Sequence, residues 1–464
     1  MVKRRFIMDY SKLPIFAEAD VIVCGGGTAG AFAAKSAADM GSSVVVIEQF
    51  GSLGGTATNG LVLPIMHTHM AKNPQCSYIS NIVRERMIAL DAASANGANF
   101  DPLVLKIVLE ELCVSAGVEL LLHTYIADMV VEDGKVVAAV VANKSGLGLV
   151  KGKIFIDGTG DGDACVLAGA GYTKGDPDND GKNQPISLRY IVANVDIEVF
   201  GQFILDTIEK TKKYDGASYE NGSIYVAVCA GDRWTFADMF DEAIAKGELT
   251  EEDKAYWQGF MVTGRKNSMA FNCPEFFEKT DSTDPSHLTH TQVHGKRRVL
   301  KHLQFYKKYF KGFEDAYIAE IAPMVGIRES RHIETDYVLT ASDLLSRKKF
   351  SNMFCQSNYP VDVHGKILKC EEITGEIDDG KPWYEIPFTS LLVKNLDNMF
   401  VTGRCLGAEF IAQSSLRVQH AVRASGEAAG IAAALAAATP AEETALAEAT
   451  TWVCGWRSPS RKPS

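Results

Sequence analysis

The distribution of apolar residues near the start of the chain predicts a strand, a helix and a second strand. Val21–Cys24 is a short apolar run that stops at Gly25, and Val44–Ile47 is a second run of four apolar residues. Between them, alanines recur at helical spacing, at Ala33, Ala34, Ala37 and Ala38, and Gly41 follows where a helix would end. This order of elements is typical of a βαβ unit with two parallel strands.

Later apolar runs extend the same pattern. Pro102 follows Asp101 at a helix start, and an apolar stripe then continues toward Gly117, formed by Leu103, Ile107, Val108 and Leu112. Further strands are predicted at 118–122, 136–141 and 153–156, the last two separated by a turn at Ser145-Gly146, and at 397–404. An alanine-rich helix is predicted over 421–438. The fold class is therefore α/β, with a parallel sheet covered by helices.

The turn between the first strand and the first helix contains Gly25-x-Gly27-x-x-Gly30. Glycines at these positions allow a sharp turn, close approach of a pyrophosphate and tight packing of helix on strand. The N–H groups of the helix start, around Thr28 and Ala29, would then face the phosphates. Glu48, 18 residues past Gly30, ends the second strand, where its carboxylate could accept both ribose hydroxyls. The alternative is an ordinary βαβ unit that happens to be rich in glycine.

Three further segments carry a family resemblance: LGGTATNG, IDGTGDGDACVLAGAG and VTGRCLGAEFIAQSSLRVQHAVRASGEAAG. Together with the first glycine turn, they resemble the FAD-dependent oxidoreductases, relatives of the fumarate reductase flavoproteins within the superfamily of glutathione reductase, over nearly the whole chain. The resemblance implies a Rossmann-like FAD-binding domain with an inserted mixed α+β substrate domain. It implies that FAD is held by Gly25, Gly27, Thr28, Ala29, Gly30, Glu48, Gln49, Gly54, Gly55, Thr56, Ala127, Gly160, Asp161, Gly403, Arg404, Ser414, Ser415 and Arg417.

Some of these assignments leave alternatives open. Asp161 or Asp163 could be plain helix caps. Arg404 follows Gly403 where the superfamily often has an aspartate, so a phosphate contact is an alternative role. His67 and His69 follow the glycine pair, and in some members of the superfamily a histidine there bonds the flavin covalently. No function is assigned to the tail, 450–464.

The expected domain limits are 15–175 and 371–445 for the FAD-binding domain, and 176–370 for the substrate domain. The middle of the chain shows no second dinucleotide fingerprint. We therefore expect electrons to pass between a permanently bound FAD and a small substrate, without a docked nicotinamide.

Composition and net charge limit the classes of partner that we expect for this protein. The 464 residues are 46% hydrophobic and 23% charged, with a net charge of −11, which argues against nucleic acid or an anionic membrane as the main partner. The longest apolar run, 428–438, is too short to span a bilayer, and no signal peptide is visible. Ten scattered cysteines without a CxxC argue against a metal site or an iron–sulfur cluster and fit the cytoplasm. A homo-oligomer is left open.

Candidate catalytic residues lie in the middle of the chain. Asp362 and His364 are at period two, so they would share one face of a strand, and a carboxylate beside an imidazole favours a general base; the alternative is a structural histidine in a loop. Arg328 or Arg331 could hold a substrate carboxylate, or form an ion-pair lattice with Glu329. Tyr384 could donate to a substrate oxygen, or pack in the core.

These residues favour an enzyme in which FAD takes a hydride from a carbon that bears a hydroxyl or an amine, while His364 accepts the proton and Asp362 orients it. The reduction of an activated C=C bond, as in fumarate reductases, is the alternative reaction. A non-catalytic, electron-relay FAD-binding subunit is the alternative of another class, but such chains carry cysteine clusters that this sequence lacks.

Overall fold

A computed structural model describes residues 9–66, 77–95, 97–228, 233–364 and 383–439. In chain order its strands are β1 (Ile15–Cys24), β2 (Val44–Ile47), β3 (Glu119–Leu121), β4 (Tyr125–Glu132), β5 (Lys135–Asn143), β6 (Gly146–Asp157), β7 (Tyr172–Lys174), β8 (Ile186–Ser187), β9 (Tyr190–Ala193), β10 (Ala217–Glu220), β11 (Ser223–Ala227), β12 (Gln258–Met261), β13 (Ser268–Phe271), β14 (Glu275–Phe276), β15 (Tyr317–Ile321), β16 (Arg331–Ile333), β17 (Met353–Ser357), β18 (Tyr384–Pro387) and β19 (Met399–Val401). Its helices are α1 (Thr28–Asp39), α2 (Tyr78–Ala89), α3 (Pro102–Ser115), α4 (Asp163–Leu167), α5 (Ile197–Thr211), α6 (Ala237–Ala245), α7 (Glu251–Ala255), α8 (Pro285–Tyr309), α9 (Ala341–Leu345), α10 (Phe410–Leu416) and α11 (Gln419–Ala438).

The larger sheet is the Rossmann-like sheet that the apolar pattern predicts. Its order is β3-β2-β1-β6-β5-β4, and β19 also pairs with β6. The pairs β1–β2, β1–β6, β2–β3 and β6–β19 are parallel, whereas β4 and β5 form an antiparallel extension. The parallel strands therefore end at one edge, where the loops after β1, β2, β6 and β19 meet.

Close packing of α1 holds this edge in place. A Cβ on Gly30 would lie 1.8 Å from the carbonyl oxygen of Gly25, so only glycine lets α1 pack against the turn after β1. α11 covers α1 in the same way, because a Cβ on Gly426 would lie 2.1 Å from the carbonyl oxygen of Ala29. The glycines in both helices are thus required by backbone contact.

The second sheet has six strands in the order β10-β11-β12-β13-β9-β15, and every pair in it is antiparallel. A separate, strongly aromatic core supports it, which includes Phe200, Trp234, Phe236, Trp257, Phe271, Tyr306 and Phe310. A mixed α+β unit is therefore inserted between β6 and β19 of the Rossmann-like sheet, as expected. The exact domain limits remain a prediction.

The segment 326–339 is mostly irregular. Within it, only Arg331–Ile333 forms a strand, which pairs with β7. Within the described ranges, no helix has the length and apolar character needed to cross a bilayer.

Candidate active site

A cavity of about 1650 Å³ opens where the two sheets face each other. One wall consists of the loops after β1, β2, β6 and β19, and the other includes residues of β11 and β12. Pockets for a single small ligand commonly measure about 300–1,000 Å³, so this cavity has room for a dinucleotide and a substrate together.

Most of the expected cofactor residues line this cavity: Gly25, Gly27, Thr28, Ala29, Glu48, Gln49, Gly55, Thr56, Ala127, Gly160, Asp161, Gly403, Arg404 and Arg417. Gly30 and Gly54 lie behind the wall and support it. Gly54 donates its N–H to the Gly26 carbonyl at 2.9 Å and accepts from Thr28 Oγ1 at 2.8 Å. The two glycine segments are therefore bonded to each other beneath the start of α1.

Gly27 differs from its neighbours in a way that points to a ligand. Its φ of −67° suits any residue, and a Cβ there would meet the Gly158 oxygen at an ordinary 3.5 Å. In contrast, a Cβ on Gly25 or Gly55 would come within 2.8 Å of backbone atoms. Gly27 is also the N-cap of α1 and offers no side chain to the unpaired N–H groups of the first turn. The empty space and the free donors suit a pyrophosphate.

Glu48 is almost fully buried at the end of β2. Its two carboxylate oxygens each accept one backbone N–H, from Gly26 and from Phe50, both at 2.8 Å. Burial raises its pKa. A carboxylate has about four acceptor positions, so two remain for hydroxyl groups such as those of a ribose.

Arg404 and Asp161 form a buried ion pair at the end of β19. Arg404 Nη2 lies 3.0 Å from Asp161 Oδ1, and Nη1 donates to Ser330 Oγ at 2.9 Å. Neither Asp161 nor Asp163 is a helix cap, because Gly162 is the N-cap of α4 and no side chain caps it. The alternative of plain caps is therefore wrong. Burial and then the nearby Asp161 raise the pKa of Asp163 to about 6.

The arginines of the middle segment do not form a lattice with Glu329. Arg331 pairs with Asp163 at 2.6 Å, and Arg328 pairs with Glu275 at 2.7 Å. Glu329 instead accepts from His332 Nε2 at 2.8 Å and from Asn183 Nδ2 at 2.7 Å. The lattice hypothesis is wrong because each group finds its partner on another element.

His364 lines the cavity between two carboxylates. Its Nδ1 lies 3.1 Å from Glu275 Oε1, and its Nε2 lies 3.6 Å from Asp362 Oδ1. The ring of Tyr256 lies 4.8 Å away, centre to centre. Burial and then the charge of Arg328 lower the pKa of His364, so its imidazole is neutral at pH 7.

Asp362 is held as an anion. Burial opposes its ionisation, but the charge of Arg417 lowers its pKa below the ordinary value. Arg417 Nη2 lies 3.1 Å from Asp362 Oδ2 and 2.9 Å from the Asp362 carbonyl, and Tyr359 donates its hydroxyl at 3.0 Å. Arg417 was expected to hold the cofactor; the structure places it against Asp362.

Ser414, Ser415 and Tyr384 do not line the cavity. Ser414 Oγ accepts from the N–H of Asp362 at 3.2 Å, and Ser415 donates to the Pro360 carbonyl at 2.9 Å. Tyr384 is buried and donates its hydroxyl to the Tyr359 carbonyl at 3.1 Å. All three therefore position the segment that carries Asp362, and the expected contact of Tyr384 with substrate is replaced by this internal bond.

Sequence reasoning missed Glu275, Arg189 and Tyr256, which all line or support this end of the cavity. Two of them, Arg189 and Glu275, have a weak signal in the sequence. Arg189 is a single charge within an apolar segment, LRYIV, and Glu275 stands alone in NCPEFF. A lone charge in an apolar run is a candidate for a buried functional group. His67, His69 and the tail lie outside the described residues.

Comparison with known proteins identifies the family of this chain. Residues 20–447 match the model of a family described as FAD dependent oxidoreductase. A thiamine thiazole synthase of Methanococcus aeolicus is 29% identical over 162 residues, which are 32% of this chain and 59% of that protein. The chain thus matches a little over half the length of this relative.

Two solved structures are similar over most of the chain. A geranylgeranyl bacteriochlorophyll reductase-like protein from Thermoplasma acidophilum is 13% identical, with 95% of this chain and 82% of that one covered and a TM-score of 0.43. A flavin-dependent brominase is 12% identical, with coverages of 95% and 84% and a TM-score of 0.47. The family model, which spans nearly the whole chain, is the finding that decides the assignment. The chain therefore belongs to the family of FAD-dependent oxidoreductases, and its cofactor is FAD.

Proposed function

We propose that this enzyme oxidises a small alcohol or amine, with His364 as the base that accepts the proton. The observation that carries this proposal is the position of the His364 imidazole on the cavity wall, with Nδ1 3.1 Å from Glu275 Oε1 and Nε2 3.6 Å from Asp362 Oδ1. A base that is neutral at pH 7 can accept a proton without first losing one.

The two carboxylates have different roles in this proposal. Glu275 accepts a hydrogen bond from Nδ1–H of His364, which fixes the tautomer and leaves Nε2 as the proton acceptor. Asp362, 3.6 Å from Nε2, stabilises the imidazolium that forms. Arg417 and Arg328 keep Asp362 and Glu275 ionised.

When bound, FAD supplies the acceptor for the two electrons and the proton that leave the substrate carbon as a hydride. The hydroxyl or ammonium proton moves to Nε2 of His364, and the carbon–oxygen or carbon–nitrogen bond becomes double. Phe260 of β12 and Tyr256, which precedes that strand, add aromatic surface to the cavity wall.

The test is anaerobic bleaching of the visible flavin absorbance of the purified protein against a panel of alcohols and amines. At least one compound should bleach the wild-type flavin quickly. His364→Gln should retain FAD and bleach far more slowly, whereas His294→Gln, on the exposed face of α8, should behave as wild type. If no compound bleaches the flavin and an activated C=C compound oxidises the chemically reduced protein, the alternative reaction, reduction of a C=C bond, is favoured.

A further inference from the structure

Among the described residues, the end of the cavity around His364 holds more positive than negative charge. These residues include three arginines, Arg189, Arg328 and Arg417, and two carboxylates, Glu275 and Asp362. Arg328 pairs with Glu275 at 2.7 Å, and Arg417 pairs with Asp362 at 3.1 Å. With His364 neutral, three positive charges less two negative charges leave one positive charge, which belongs to Arg189.

Arg189 is 7% exposed, and its surface lies on the cavity. Its Nε donates to Asn272 Oδ1. Within the part of the chain that the structure describes, neither Nη atom has a hydrogen-bond acceptor and no carboxylate pairs with the guanidinium. Burial and then repulsion by Arg328 lower the pKa of Arg189 to about 9, so it is still charged at neutral pH.

A buried cation without a partner costs free energy, and an anion in the cavity would remove that cost. A planar guanidinium is the group that binds carboxylates best, through two parallel N–H bonds. Asn272 links this group to the base, because its Nδ2 donates to the Tyr256 hydroxyl at 2.7 Å and the Tyr256 ring contacts His364. An anion on Arg189 would therefore be part of the same substrate that reacts beside His364.

We propose that the substrate is a monocarboxylic acid with a hydroxyl or amine near the carboxylate, and that Arg189 binds this carboxylate. The inference rests on the proposed function for the reaction, but its charge argument is independent of it. A second carboxylate on the substrate would find Arg328 and Arg417 already paired and would face Glu275 and Asp362. The site therefore favours a single negative charge.

Calorimetric titration of the oxidised holoenzyme tests this without turnover. Acetate should bind at least tenfold more tightly than acetamide, its neutral counterpart of equal size, and malonate should bind no more tightly than acetate. Arg189→Gln should weaken acetate binding by about ten- to a hundredfold, and Arg189→Lys by less. Arg297→Gln, on the exposed face of α8, is the matched control and should bind acetate as wild type.

Equal binding of acetate and acetamide, or wild-type affinity for acetate in Arg189→Gln, would overturn the inference. Tighter binding of malonate than of acetate would overturn the claim that the site favours a single negative charge. If Arg189→Gln does not fold with FAD, the relative affinities of the wild-type protein for acetate, acetamide and malonate still decide whether the site binds a single carboxylate.

A comparison of glycolate with ethylene glycol as substrates tests the carboxylate site separately from the proposed reaction. Both compounds have a primary alcohol, but only glycolate has a carboxylate. Bleaching by both at equal rates would reject the carboxylate site and keep alcohol oxidation. Tight acetate binding that depends on Arg189, without bleaching by any alcohol or amine, would keep the carboxylate site and reject the oxidation.

Discussion

At the scale of single residues, a substitution at Gly27 should affect FAD binding without affecting the stability of the fold. A Cβ at this position has only ordinary contacts within the protein, the shorter at 3.5 Å, and the backbone is not left-handed. We expect Gly27→Ala to leave the unfolding temperature of the FAD-free protein nearly unchanged while it lowers the affinity for FAD, because the methyl group takes the space of the pyrophosphate. Flavin content after purification, and titration of the FAD-free protein with FAD, measure this.

Gly30→Ala is the contrasting variant. Its Cβ would lie 1.8 Å from the Gly25 oxygen, so it should destabilise the FAD-free protein itself. If Gly27→Ala binds FAD as wild type does, the space beside Gly27 is not where the pyrophosphate lies.

The proposed acid–base role of His364 gives a prediction about the pH dependence of flavin reduction. The residue must be neutral to accept a proton, and burial together with Arg328 lowers its pKa below the ordinary value of about 6.5. The rate of flavin reduction should therefore rise with pH through a midpoint below 6.5 and be flat from pH 7 upward. His364→Gln should lower the rate by about a hundred- to ten-thousandfold and remove this rise.

Asp362→Asn should have a smaller effect on the rate, because the imidazole remains and Glu275 still holds Nδ1. Stopped-flow reduction over a series of buffers provides the measurement. A pH profile that is the same in wild type and His364→Gln would assign the base to another group.

At the scale of secondary-structure elements, the contact between α1 and α11 fixes the floor of the cofactor site. Gly426 in α11 sits against the backbone of Ala29 in the first turn of α1, where a Cβ would be 2.1 Å from the carbonyl oxygen. Gly426→Ala should force the helices apart and lower the free energy of unfolding by about 3 kcal/mol, the upper end for overpacking. Urea unfolding of the protein measures it.

Gly134→Ala is the control for that substitution. Gly134 has a φ of +78° and open space around its Cβ, so alanine there adds only backbone strain of about 1 kcal/mol. Equal losses in the two variants would mean that the helix contact gives way easily and does not fix the site.

The elements of the first βαβ unit follow from the sequence because their signals are local. The strand Val21–Cys24, the glycine turn and the alanines of α1 are neighbours in the chain, and so their periodicity is sufficient. The surroundings of His364 are not local. Glu275 reaches it because β14 pairs with β8, which sets Glu275 opposite Ser187. The two-residue strands of this pair have no periodicity from which that contact could be read.

At the scale of the whole molecule, the parallel sheet and the antiparallel sheet form opposite walls of the cavity. The parallel edge of the Rossmann-like sheet presents glycines and N–H groups to the cofactor, and the antiparallel sheet covers the opposite wall of the cavity. The proposed base, His364, lies outside both sheets in a segment that α10 holds through Ser414 and Ser415. In the proposed function, cofactor binding and proton transfer therefore depend on separate parts of the chain, which variants can test independently.

This division also predicts how the flavin exchanges electrons. Dedicated sites for nicotinamide dinucleotides are typically parallel βαβ units with their own glycine turn, and among the described strands the second sheet is antiparallel throughout. NADH and NADPH should therefore bleach the flavin much more slowly than a true substrate does. Anaerobic mixing of the holoenzyme with each nicotinamide, monitored at the flavin band, is the measurement, and a hydroxy acid that bleaches the flavin is the positive control. Rapid bleaching by either nicotinamide would mean that the large cavity admits it directly, and the second sheet would then be the wall that binds it.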